Sequence, residues 1–81
     1  MTPISREIAA NVLHFFRSSE GYSGGSFADA LYSLAAKADR HNRAKLAVAF
    51  PDEMAAFSLA ADRPDGLAIL RQIATGSRVA R

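Results

Sequence analysis

The sequence predicts an all-α fold, a compact single-domain bundle of four to five short helices. Three observations carry this. Apolar residues recur three and four positions apart between breaks, the spacing of one helix face. No stretch alternates apolar and polar residues with β-branched enrichment, so no strand is expected. Gly and Pro fall between the periodic segments rather than inside them. With 81 residues the core is thin and depends on close helix packing or on an oligomeric partner. Residues 1–76 read as the helical domain and 77–81, SRVAR, as a flexible C-terminal tail.

The first helix is expected to start at Thr2 as N-cap with Pro3 at the first helical position. Ile4, Ile8, Val12 and Phe15 form its apolar stripe, widened by Leu13 and Phe16, while Arg6, Glu7, Asn11, His14 and Arg17 share the other side. Its predicted end lies between Ser18 and Glu20, with Gly21 as C-cap. GYSGG, residues 21–25, is the flexible connection. It lacks the GxGxxG spacing, the P-loop lysine and a preceding strand, so a turn explains it better than an anion cradle.

Ser26 with Asp29 resembles a capping box and opens the second helix, which runs to about Ala38 on the stripe Phe27, Leu31, Leu34, Ala38. Tyr32 falls off that stripe, beside Asp29 and Ser33, as a lid on the Gly-rich loop or an interface anchor. Asp39 either caps a third helix or marks a kink in a continuous one. Leu46, Ala49 and Phe50 share a face there, with Val48 nearly opposite. Pro51 ends this helix and begins the fourth, and Asp52 and Glu53 suit its positive N-terminal end. Met54, Phe57 and Ala61 are expected inside and Leu59 outside. After Asp62–Gly66, with Asp65 as cap, the stripe Leu67, Leu70, Ile73, Ala74 makes a last helix ended by Gly76.

Catalytic signatures are missing. There is no cysteine, and neither His14 nor His41 stands in an HExxH, HxH or His–carboxylate spacing. Asp62 and Asp65 are separated by a proline loop, and paired carboxylates need a cleft to drive their pKa values apart. The chain therefore reads as a non-enzyme with no catalytic residue, cofactor or metal site. No apolar run reaches the roughly 20 residues of a membrane span, and the N-terminus lacks the basic start of a signal peptide. A soluble, cytoplasmic protein is expected.

Net charge is only +2, but it is distributed in blocks: −1 over residues 1–36, +3 over 37–50, −3 over 51–66 and +3 over 67–81. Solvated surface charge accounts for most such patterns. Two functional readings compete beyond it. The preferred one is a protein-interaction module. Tyr32, Val48 and Leu59 lie off their helices' stripes, rimmed by Lys37, Arg40, His41, Arg43 and Lys45 on one side and the acidic 52–65 block on the other. Such a surface suits a protein partner or a homodimer seam, unless helices three and four are both central and bury Val48 and Leu59. The alternative is a small DNA-binding protein using the basic 37–45 segment in a helix-turn-helix-like arrangement. Against it stand a joint without glycine, and Ala47, Val48 and Ala49 where base-reading polar groups are wanted.

Residues 24–57, GGSFADALYSLAAKADRHNRAKLAVAFPDEMAAF, carry the order Gly-Gly-x-Phe, Ala-Leu, Ala-Asp, Asn, Leu, Phe-Pro and an aromatic-bearing helix. This resembles small, mostly uncharacterised all-helical proteins of actinobacteria and their phages. The resemblance implies a short cytoplasmic accessory protein, phage-encoded, that acts by binding a host macromolecule. It assigns no binding residue.

Overall fold

The structure, a computed structural model, describes residues 4–76, and within them the chain is all-helical with no strand. Five helices follow one another: α1 (Arg6–Phe15), α2 (Ser26–Lys37), α3 (Arg40–Ala49), α4 (Pro51–Asp62) and α5 (Gly66–Thr75). The expected start at Thr2 and Pro3 and the expected tail 77–81 lie outside the described residues.

Helix α1 begins later than Thr2 and Pro3 suggest, because Ser5 is its cap: the Ser5 hydroxyl oxygen accepts the Ile8 amide at 3.1 Å. It also ends earlier. The Arg17 amide donates to the His14 carbonyl and the Ser18 amide to Leu13, a Schellman closure with Arg17 left-handed at φ 64°. Gly21 is therefore not the C-cap. It lies flat against the helix, where a Cβ would strike the His14 amide nitrogen. The loop is pinned there by the Tyr22 amide, which donates to the Ala10 carbonyl at 3.2 Å, and by the Asn11 amide group, which donates to the Tyr22 carbonyl at 3.1 Å. Asn11, expected on the polar face, is thus 6 % exposed and satisfied from the loop.

Helix α2 starts at Ser26 but without the capping box. Gly25 occupies the cap position, and Asp29 turns back to accept from the Ser23 hydroxyl at 2.8 Å. The same Ser23 oxygen accepts the Gly25 amide. The inward face is Leu31, Tyr32 and Ala35, not the stripe through Phe27 and Leu34. Tyr32 is 1 % exposed and stacks on Phe57, with ring centroids 6.2 Å apart and planes 4° from parallel. It is neither a lid nor an interface anchor.

Of the two outcomes open at Asp39, cap or kink, the structure has the cap: Oδ1 accepts the Asn42 amide at 2.8 Å. Ala38 before it is extended, so α2 and α3 are separate helices. At the other end the Phe50 backbone leaves helical geometry before Pro51, and α4 begins on that proline. Helix α4 buries Met54, Ala56 and Phe57. Two expectations for it fail. Ala61 is exposed, and Leu59 is half-buried against the core because α5 crosses at that point. The crossing is close: a Cβ on Gly66 would collide with the Leu59 carbonyl. Asp65 holds the cap position of α5, yet its carboxylate pairs with Arg63 at 2.9 Å instead of an amide. Gly76, left-handed at φ 71°, closes α5 as predicted.

Helix α4 is the centre of the bundle and packs on all four others, while α1 packs on α5, α4 and α2. Phe15, Phe16, Tyr32 and Phe57 meet where these helices converge. Helix α3 buries no residue and packs principally on α4.

Candidate functional site

A helix that buries none of its residues leaves its side chains for other uses. On α3, Leu46 and Ala47 turn towards the core with Phe50, all three half-buried. Opposite them His41, Lys45 and Val48 follow one another at i, i+4 and i+7 and form an exposed crest. Val48 is 85 % exposed, so the structure agrees with the outward direction expected for it.

The 37–45 segment holds five basic side chains, and the structure divides them. Lys37, Arg40, His41 and Lys45 are exposed and make no ion pair among the described residues. Arg43 is engaged. Its guanidinium lies over the Phe57 ring, 5.2 Å from the centroid, and its Nη1 is 3.5 Å from Asp62 Oδ2. Arg43 therefore ties α3 to α4, with its Nε covered and without an acceptor. Tyr32 and Leu59 leave the candidate surface, the first as core and the second as half-buried packing.

Apolar surface flanks the crest on both sides. On the α2 side Phe27 is 68 % exposed and Leu34, seven residues on and so on the same helix face, is 52 % exposed. Phe27 meets Phe50 at 5.8 Å between ring centroids. That contact joins the start of α2 to the end of α3. The helical spacing of Phe27 and Leu34 predicts the core for both side chains, and the structure leaves them outside it. Their exposure follows from α3 standing off α2 rather than closing over it.

On the α4 side an open groove of about 710 Å³ runs between α3 and α4. Arg40, Ala44 and Ala47 form one wall, Pro51, Ala55 and Ser58 the other, and Met54 the floor. Arg43 and Asp62 stand at one end. No sequence pattern announced this groove, although its small residues recur at helical spacing along both helices.

A second cleft of about 600 Å³ lies between the end of α1 and the start of α2 and includes His14, Arg17, Ser18, Asp29 and Ser33. It brings His14 near an aspartate that the linear spacing did not pair with it, but no ion pair joins them. Asp29 Oδ1 is buried there without a hydrogen-bond partner. Among the described residues no group of three or more His, Asp or Glu side chains is placed to hold a metal ion. Glu20, nearby, has its carboxyl held below the usual range, first by the Ser18 hydroxyl and its own backbone amide and then by Arg71. Its pairing with Arg71 at 3.2 Å fastens the α1–α2 loop to α5. Among the described residues no helix is long and apolar enough to cross a membrane.

No protein-family model, curated protein or solved structure matches the chain.

Proposed function

We propose that this chain is a small protein-interaction module, and that its α3 crest with the two apolar flanks receives an acidic partner protein. The observation that carries the reading is the coincidence, among the described residues, of unpaired basic side chains with the exposed apolar side chains Val48, Phe27 and Leu34 around a helix that fully buries no residue. Large apolar groups left in water cost about 25 cal/mol per Å². Their burial by a partner recovers that free energy, while Lys37, Arg40, His41 and Lys45 select carboxylates at the rim. Nothing in this reading requires catalysis or a cofactor. The resemblance of residues 24–57 to small proteins of actinobacteria and their phages supports a cytoplasmic accessory role directed at a host protein.

Selection from a displayed random peptide library tests it. Peptides combining Asp or Glu with Leu or Phe are expected to enrich. Their binding should weaken at least tenfold on Lys45→Glu or Val48→Glu, with the helical circular dichroism unchanged. Absence of enrichment over a scrambled library rules the reading out.

A second reading, DNA binding, is favoured by one observation: Arg40, His41, Asn42 and Lys45 are all exposed on α3, where a recognition helix would need them. Phosphate contacts by these groups would make duplex binding fall steeply with salt. Gel retardation at low salt that disappears in Arg40→Glu with Lys45→Glu would establish it. On the protein-binding reading no retardation is expected.

A further inference from the structure

We infer that the α3–α4 groove is the seat of an acidic amphipathic helix belonging to the partner protein. This deepens the protein-binding reading and rests on it. The α4 side from Pro51 to Asp62 spans twelve residues, or about 16 Å at 1.5 Å per residue step, the length of three helical turns. Ala44, Ala47, Ala55 and Ser58 keep the walls low. Low walls let another helix approach to about 8–10 Å between axes and lay its larger side chains over Met54.

An extended peptide fits the same space badly. Its amides and carbonyls would lose water against alanine and methionine, and Ser58 is the one hydroxyl along the walls. A helix brings its backbone hydrogen bonds with it. The acidic character follows from the charged end, where Arg40 and Arg43 stand against the single carboxylate of Asp62. Arg40 makes no ion pair among the described residues, and the Arg43–Asp62 separation of 3.5 Å is long for a charge-assisted bond. A partner carboxylate would meet the exposed, unpaired Arg40 guanidinium there.

The same charge argues against occupants from this chain. The free apolar stripe of a second copy, Phe27 and Leu34 on α2, ends in Lys37, and the 77–81 segment carries Arg78 and Arg81. Both would bring cations to the Arg40 end.

The test uses a 14-residue peptide of Leu, Ala and Glu, with Leu on one helical face and Glu flanking it, and follows its fluorescence anisotropy. Two controls accompany it, one with Lys for Glu and one with a central proline. Only the first peptide is expected to bind. Ala44→Phe and Ala55→Phe fill the groove from exposed positions, so the fold should persist and binding should fall at least tenfold in each. Arg40→Glu should weaken the Glu peptide about tenfold, and Gln72→Ala, exposed on α5, should leave it unchanged. Binding that survives both phenylalanine variants and is lost in Leu34→Ser would move the partner to the α2 flank and overturn the groove, leaving the protein-binding reading intact. Equal binding of the proline peptide, or none by the Glu peptide, would also overturn it. So would a homodimer in sedimentation that Ala55→Phe dissociates, because a second copy would then own the groove.

Discussion

Helices α3 and α4 are joined only through Phe50, are ten and twelve residues long, and play opposite parts in the fold. Helix α4 touches every other helix and is apolar on several sides, with Met54, Ala56, Phe57 and Leu59 pointing in different directions. Helix α3 leans on α4 alone among its principal neighbours and buries no residue. A helix surrounded by neighbours is stabilised by burial whatever the amphipathic pattern of its sequence. A peripheral one depends on its caps and a few ties. For α3 these are Asp39 at one end, Pro51 after the other, and Arg43 in between. The peripheral helix is the one available for binding, since displacing water from it disturbs no core contact.

The contrast can be broken most sharply at Phe57, which meets Phe15, Phe16, Tyr32 and Arg43. Phe57→Ala should cost about 3–5 kcal/mol of stability, read from a urea unfolding curve, and a loss below about 1 kcal/mol would show that α4 is not the centre. Alkaline titration examines the same stack. Burial, and secondarily the Glu53 carboxylate, push the Tyr32 phenol up to about 12. A raised folded-state pKa means its contribution is fully present below the ordinary value of about 10. It is lost as pH rises from there through 12, by roughly 2–3 kcal/mol in all. Phenolate absorbance should show Tyr32 ionising only well above pH 10. Its ionisation near pH 10 would contradict the burial.

Arg43→Ala removes the tie between α3 and α4 and should cost about 1 kcal/mol. Native-state hydrogen exchange should show that loss in α3 amides and little in α4. Equal loosening of both helices would mean that they are one cooperative unit. The smallest effect is expected at Val48. Val48→Glu should leave the melting transition within about 0.5 kcal/mol of the parent while weakening partner binding. A large destabilisation would show that α3 is closed over by something else.

Local chemistry made much of this legible. Pro51 separating α3 from α4 and Gly76 ending α5 each depend on one residue's own geometry and are where the sequence placed them, and Asp39 takes the cap, one of its two expected parts. The direction of Val48 followed from the period of its helix. The errors fall where two arrangements share the same local pattern. On α2 the stripe Phe27–Leu31–Leu34 and the stripe Leu31–Tyr32–Ala35 both have helical spacing, and both contain Leu31. The first carries more apolar bulk. The fold chose the second because the small Ala35 admits a close helix contact and Tyr32 finds a ring to stack on. Leu59 turned inward for a similar reason, since Gly66 lets α5 approach its carbonyl. Arg17 could end α1 because a Schellman closure tolerates a left-handed arginine, at a cost of about 1–2 kcal/mol, once the following loop is pinned to Asn11.

By itself, then, the sequence determined the helical class, a count of four to five helices, most of their ends, and the basic character of residues 37–45. These follow from propensities, caps and charges within a few residues of one another. Only the tertiary structure decided that α4 would be central and α3 peripheral, that Tyr32 would be core, and that Arg43 would be spent on Phe57 and Asp62. Those outcomes depend on which neighbour covers which face, and no helix carries that information alone.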